Sequence, residues 1–456
     1  MVEDPFCTCS KRLISMTPLF VLAGILTFQN IKNVHQLLPK FQNDFDFAAE
    51  PWISERLVEA RKMQIGYAIT VTDCKLGGAS LDGAAVLKHS IHLASHTSKY
   101  DYRLHAFVHP DAQACASLLS HLGYDVQILP SPVNVSDIRN VQLQKATKSG
   151  CCGIKEMMKL YSYLLTHVAI VVHLDVDTIM LKPLDDLFDL MLDSEFNRSK
   201  IPAMWLSPDQ FPFQIDFLFT RDYNMVDPPR RQPHQVGVQG GFLVLRPNET
   251  DFRRLVEIVL DGANFEIRHG WGGPELKYGG YYGAATVQGL SSYYFGHIEK
   301  GRALELNRCY YNSMVDDPMN TVMVKTRNDP ITCRTLQETC QDCRDTDMAD
   351  IHTAHFTICG KPWWCGSHGN QPEEKHLRLC WELHREWHKI RFSLEQLWIE
   401  QYQDYKPTYA AVNNTASFKR SVVFVNNSFG HCRVMRSEGY IRLQYPTAFN
   451  QDSKTE

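Results

Sequence analysis

The residues best placed to do chemistry lie in VAIVVHLDVDTIMLKPLDDLF, residues 168–188. Asp175 and Asp177 follow VAIVVHL (168–174), the most hydrophobic strand candidate in the chain. In an extended backbone, residues i and i+2 project to the same side, so the two carboxylates would share one edge. Paired carboxylates there suit a hard divalent cation, Mg²⁺ or Mn²⁺, that keeps open positions for phosphate oxygens. Such a cation neutralises charge on a departing diphosphate. A bare Asp-x-Asp is common in turns and on wet surfaces; the apolar run before it sets this pair apart.

A second segment, HFTICGKPWWC (355–365), supplies complementary chemistry. His355 offers a neutral imidazole as a third ligand. Gly360 permits close backbone approach, and Lys361 offers a point charge for a phosphate. Each of these alone has an ordinary alternative, a half-buried histidine or a solvated lysine.

The elements that must position these groups follow a repeating pattern. IGYAITVT (65–72), YRLHAFVH (102–109), DVQILP (125–130) and VAIVVHL (168–174) read as strands. Helical spacing fills 82–94 and 154–165, and Asp111 is placed to cap a helix running to residue 122. Strands alternating with helices of this length predict βαβ units and a mostly parallel sheet, with helices on both faces. Ligands on such sheets bind beyond the carboxyl ends of the strands. A long amphipathic helix over 373–402, with Trp381, Trp387 and Trp398, is expected to pack on the core.

Composition narrows the class. The 456 residues are 44% apolar, enough for a substantial core, and the net charge of −4 argues against nucleic acid as a partner. Residues 13–28 (LISMTPLFVLAGILTF) form an apolar run behind Lys11 and Arg12. At 1.5 Å per residue it would span about 24 Å, near the thickness of an early-secretory bilayer. The positive flank places the N-terminus in the cytosol and the rest in the lumen. A signal anchor, a cleaved signal peptide and a buried helix all fit the run; the lack of a small-x-small cleavage site favours the anchor. The expected layout is a cytosolic tail (1–12), an anchor (13–28), a stem (29–63), a catalytic domain (64–372), the long helix (373–402) and an extension (403–456).

Of 14 cysteines, 12 follow the apolar run, and sequons occur at Asn134, Asn197, Asn248, Asn413 and Asn426. Cys340 and Cys343 have zinc-ligand spacing, but no second such pair completes a site, so disulfides are expected. The predicted location is the Golgi or secretory lumen as a type II single-pass protein, with secretion as the alternative.

The two chemical segments together resemble glycosyltransferase family 8, the glycogenin-like group. The match runs through Asp175-Val176-Asp177-Thr178, then Leu184-Asp185-Asp186-Leu187-Phe188, and ends with His355 and Gly360-Lys361-Pro362-Trp363, covering roughly residues 65–365. The resemblance implies a GT-A, Rossmann-like single domain, Mn²⁺ (with Mg²⁺ as an option), a UDP-sugar donor, a glycan or glycoprotein acceptor, and transfer of a hexose-type sugar with retention. It implies Asp175, Asp177 and His355 as metal ligands and Lys361 as the diphosphate lysine. It also implies Lys159 near the donor, and Val71 and Thr72 at the uridine. VQGGFLVL (238–245) resembles the family's Asn-Ser-Gly-Val-x-Val, with Gln239 at the Asn position and Gly240 beside it. TVQGLSSYYF (286–295) resembles its Asp-Gln-Gly stretch at the donor sugar. There Gln288 matches, but Val287 replaces the acid, which leaves open a degenerate, non-catalytic carbohydrate binder. A nucleotidyltransferase or nucleotide-sugar hydrolase on a similar sheet is the other alternative. His355 and Gly360 stand further apart than in glycogenin, so that loop must differ, and Cys359 and Cys365 are candidates to staple it.

Overall fold

The computed structural model describes residues 63–74, 78–148, 153–204, 206–225, 236–317, 319, 333–335, 337–366, 371–407, 428–433 and 437–450. Contacts divide the chain into Met1–Arg61 and Lys62–Glu456, and all described residues belong to the second unit. The expected tail, anchor and most of the stem lie outside the described residues. Among the described residues no helix is long and apolar enough to cross a membrane.

The strands are β1 (Gln64–Val71), β2 (Asp101–Val108), β3 (Asp125–Ile128), β4 (Ile170–Leu174), β5 (Thr178–Met180), β6 (Phe217–Arg221), β7 (Val238–Leu245), β8 (Ala303–Glu305) and β9 (Thr353–His355). The helices are α1 (Ala79–Ser95), α2 (Ala116–His121), α3 (Val141–Ala146), α4 (Asp185–Leu192), α5 (Glu249–Asp261), α6 (Gly273–Leu276), α7 (Val287–Tyr293) and α8 (Lys375–Gln401). Seven strands form one sheet in the order β3-β2-β1-β4-β7-β6-β8, and β5 pairs with β9 in a separate ribbon. β7 runs antiparallel to both neighbours; the other pairings in the sheet are parallel. The expected α/β class with a mostly parallel sheet is therefore the architecture observed. The carboxyl end of β4, the amino end of β7 and the carboxyl end of β6 share one edge.

Both faces of the sheet are buried, which is why its strands read as nearly continuous apolar runs. Alternate residues serve different cores. Ile65, Tyr67, Ile69 and Val71 of β1 and Ile170, Val172 and Leu174 of β4 pack with Leu81, Ala84 and Leu87 of α1 and Leu187 of α4. Ala68 and Val171 face the other way, toward Leu255 and Val259 of α5 and Leu290 of α7. Helices thus cover both faces, as predicted. His173 is the one polar residue of β4; it sits between Ser162 Oγ (2.8 Å) and Thr70 Oγ1 (3.1 Å), and burial holds its pKa well below the ordinary value.

The long C-terminal helix is present. Its 27 residues extend about 40 Å. Leu379, Leu383, Trp387 and Ile390 recur at helical spacing and pack on Val86 of α1, Ile179 of β5, and Ala354 and Phe356 at β9. Further along, Leu394 and Trp398 join the core beneath α1 together with Tyr405, Leu443 and Phe449. The extension is thus fused to the core, with Asp82 of α1 accepting hydrogen bonds from Tyr440 (2.8 Å), Leu443 N (2.9 Å) and Tyr445 (3.2 Å).

Several local expectations are corrected. The stretch over 154–165 is a tighter 3₁₀ helix, Ile154–Leu164, and the third strand stops at Ile128. Asp111 caps nothing: His109 Nδ1 accepts from Asp111 N (3.2 Å), and the Asp111 carboxylate pairs instead with Lys155. The disulfides Cys74–Cys115, Cys309–Cys343, Cys333–Cys340, Cys359–Cys380 and Cys365–Cys432 divide Cys340 and Cys343 between different bridges, which removes the zinc alternative.

Buried histidines make this fold acid-sensitive. Burial, reinforced by Lys88 and neighbouring histidines, pushes His89 down to about 3, and burial pushes His384 down to about 4. The unfolded chain takes up these protons near pH 6.5, while the fold refuses them until the lower values, so stability falls as pH drops through that window. Each histidine contributes a slope of ~1.4 kcal/mol per pH unit. Urea midpoints measured between neutral pH and about pH 4.5 should fall less steeply for His89→Gln than for the parent; identical slopes would refute the assignment.

Candidate metal and donor site

β4 ends at Leu174, and Asp175 N continues toward β7 by donating to Gly241 O (3.1 Å). The backbone then turns: Thr178 N donates to Asp175 O (3.1 Å), and β5 begins. The two carboxylates therefore converge across a turn, not along an extended edge; the expected proximity holds but for a different backbone reason. β5 pairs antiparallel with β9, with Thr178 opposite His355, and Phe356 N donates to Asp177 O (2.9 Å). This short ladder sets His355 against the acidic pair. Its Nε2 lies 3.5 Å from Asp177 Oδ1 and 3.9 Å from Asp175 Oδ2. One ligand atom from each of the three residues falls within 4.8 Å of the others.

Two carboxylates and an imidazole at this spacing fit a divalent cation with mixed oxygen and nitrogen preference. The backbone leaves room for it. A Cβ on Gly241 would stand 2.3 Å from His355 Cε1 and 2.8 Å from Asp175 Oδ2, so only glycine fits there. Gly83 plays a similar part on α1, where a Cβ would meet Val176 O at 2.5 Å. That close approach seats Val176 and the whole turn on the helix, its side chain packed against the core beneath α1.

Each carboxylate has its own lysine, and the two lysines differ. Lys159 is buried; its Nζ donates to Asp175 Oδ1 (2.7 Å) and Gly240 O (3.0 Å) and pairs with Glu156 Oε2 (2.9 Å). Burial would lower its pKa, but Asp175 and Glu156 outweigh that and raise it, keeping the ammonium charged. The structure thus turns Lys159 inward behind Asp175. Lys361 is partly exposed and pairs with Asp177 Oδ2. Burial pushes the Asp177 carboxyl up, yet the adjacent His355 and Lys361 prevail and hold it well below the usual carboxylate range. Gly360 precedes Lys361 at φ 73°, a left-handed conformation that favours glycine, and its carbonyl faces His384 Nε2 (3.1 Å). The Cys359–Cys380 and Cys365–Cys432 bridges flank this loop and tie it to α8 and the extension.

The remaining candidates divide. Gln288, in the first turn of α7, uses Oε1 to accept from Gly240 N (3.0 Å), so Gln288 and Gly240 meet beside Asp175 and Lys159. Gln239 is buried behind His355, where its Oε1 accepts from Gly241 N (2.6 Å) and Asn312 Nδ2 (3.3 Å). Val71 ends β1 in the core beneath α1, and Thr72 follows it, its carbonyl accepting from Lys155 Nζ (3.3 Å). Val287 is packed into the opposite core, with its Cγ1 3.5 Å from where a Cβ on Gly240 would stand. Asn312, Glu156, Thr357 and Gly241 were not singled out from the sequence. The second glycine of VQGGF was the available signal for Gly241; Asn312 lies 43 residues from His355 and gave none.

No family model and no curated protein matches this chain. Solved structures do resemble it. Mouse xyloside xylosyltransferase 1 in its apo form shares 12% identity over 64% of this chain and 97% of its own, with a TM-score of 0.38. The galactosyltransferase LgtC, solved with donor and acceptor sugar analogues, shares 13% identity over 73% and 96%, with a TM-score of 0.35. GlyE of Streptococcus pneumoniae TIGR4 shares 14% over 75% and 64%, with a TM-score of 0.35. All three are glycosyltransferases. At identities and TM-scores of this size, the likeness decides nothing about donor, acceptor or reaction in this chain.

Replacing Gly241 by alanine should force His355 away from Asp175. The expected cost is about 1–3 kcal/mol of stability from overpacking. Urea denaturation measures it, and an unchanged midpoint would show that the close approach is not as described.

Proposed function

We propose that this chain is a retaining glycosyltransferase that moves a hexose-type sugar from a UDP-sugar to a glycan or protein acceptor, with Mn²⁺ as the preferred ion and Mg²⁺ as the alternative. The observation that carries this reading is the convergence of Asp175, Asp177 and His355 at the carboxyl edge of β4. The resemblance of the same residues to glycosyltransferase family 8 supports it. Asp175, Asp177 and His355 would hold the ion, which when bound supplies charge neutralisation to the departing diphosphate. Lys361, released from Asp177, adds a mobile positive charge for the diphosphate oxygens. Lys159 keeps Asp175 oriented. Gln288 and Gly240 form the wall on the side of the donor sugar, with Val71 and Thr72 toward the uridine. The bond from the sugar's anomeric carbon to the phosphate oxygen breaks, and the acceptor oxygen bonds to the same face. The proton of the acceptor hydroxyl passes to the leaving diphosphate, so no dedicated protein base is required.

A non-catalytic carbohydrate-binding role is the second reading, and one observation favours it: Val287 fills core space where the resembled family carries an acid. The paired lysines argue for the enzyme. Five disulfides among the described residues support a lumenal setting, as does the surface exposure of Asn134 and Asn197 in their sequons. Type II membrane attachment through residues 13–28 belongs to the same proposal.

Purified protein incubated with Mn²⁺ and a panel of UDP-sugars should release UDP faster with one donor than with the others, and chelator should stop the reaction. Asp175→Asn and Asp177→Asn should each reduce turnover about 100-fold or more, measured under conditions where urea denaturation shows the variant to be folded. Near-parental turnover in both variants would remove the metal reading, and donor binding without turnover in the parent would favour the second reading.

A further inference from the structure

A backbone amide fixes the orientation of every group behind His355. Gly241 N can only donate, and it donates to Gln239 at 2.6 Å, so the Gln239 atom there must be the amide oxygen. That oxygen also meets the Asn312 side chain at 3.3 Å, so Asn312 presents its NH₂ group on this side, where it also reaches Thr220 Oγ1 at 2.8 Å. The Asn312 oxygen is thereby turned to His355 Nδ1 at 3.1 Å, and the imidazole must donate to it. The opposite nitrogen, Nε2, faces Asp175, Asp177 and the Thr357 hydroxyl (3.1 Å).

Asn312 is built into this position. It is fully buried, its backbone N donates to Thr353 Oγ1 in β9 (2.7 Å), and its φ of 57° is one that asparagine tolerates better than most side chains. The relay links β6, β7 and β9 through Thr220, Gln239 and His355.

We infer that Asn312 is a positioning residue: by holding the Nδ1 proton of His355, it dedicates Nε2 to the cation, with Gln239 and the Gly241 amide fixing Asn312 in turn. The inference rests on the metal reading of the triad. A cation at Nε2 leaves the Nδ1–H bond to Asn312 Oδ1 in place. Ligands of this kind depend on the partner of their second nitrogen, and loss of that partner typically weakens metal binding about 10–100-fold. Gln239, which the sequence places at the donor, acts here through His355.

The test is Mn²⁺ binding by the whole chain, read from the electron paramagnetic resonance signal of free ion, without any donor or turnover. Asn312→Gly removes the side chain while accepting the positive φ, and its affinity should fall about 10–100-fold. Asn312→Asp keeps an acceptor for Nδ1–H but loses the NH₂ given to Gln239 and Thr220, so its affinity should fall by less than that of Asn312→Gly. Parental affinity in Asn312→Gly, or equal losses in both variants, would overturn the positioning role while leaving the metal site standing. Failure of the parent itself to bind Mn²⁺, or undiminished binding by Asp175→Asn, would instead remove the metal reading and this inference with it. If Asn312→Gly does not fold, ¹⁵N-histidine spectra of the chelated parent decide the matter. The His355 signals, identified by their loss in His355→Gln, should show the proton on Nδ1; a proton on Nε2 overturns the inference.

Discussion

The candidate site hangs on the antiparallel pairing of β5 with β9. Three residues on each side form the ladder, and its register sets Thr178 opposite His355. A ribbon this short cannot stand alone in water. It is held from below by Ile179, Ala354 and Phe356, which pack against the apolar face of α8 and Val86 of α1. The imidazole reaches the acidic pair because a helix near the end of the chain supports the strand that carries it. A one-residue slip in that register would turn His355 to the opposite face of the ribbon.

Placing two carboxylates and an imidazole together in a partly buried setting is electrostatically costly unless each charge is compensated. Compensation is divided unequally. Lys159 is buried and shared among Asp175, Glu156 and the Gly240 carbonyl, so it acts as part of the scaffold. Lys361 is more exposed, sits beside a glycine in a left-handed conformation and pairs with Asp177. Lys159 is held inside the fold by three partners, whereas Lys361 stands on the more exposed side of the pair, where the proposed diphosphate would meet it.

Two disulfides bound the loop that carries Lys361. Cys359 and Cys365 bracket Lys361 and bridge to Cys380 in α8 and Cys432 in the extension, 21 and 67 residues away. Cross-links over spans of this size remove roughly 3–4 kcal/mol of chain entropy from the unfolded state in the loop-closure account. The extension is further anchored at Asp82, whose carboxylate accepts from two tyrosines and a backbone amide. The long helix packs on the core as expected, and the extension shares its cores and bridges with it, so both support the site.

The sequence by itself determined the α/β class, because strands buried on both faces must be apolar throughout and the helices between them show their own period. It also singled out the candidate site: the acidic pair after the most hydrophobic strand, and the histidine, glycine and lysine near the end. Tertiary structure alone decided how they work together. Asp175 and Asp177 converge through a turn that period-two reasoning does not describe. Lys159 serves Asp175 from behind, and Gln239 serves His355 through Asn312. Such roles are invisible in spacing because hydrogen-bond partners are chosen by distance in space. The amide of Gly241, which orients the relay, and the missing Cβ of the same residue, which leaves room for His355, acquire meaning only once β7 lies beside β4 and β9 reaches the turn.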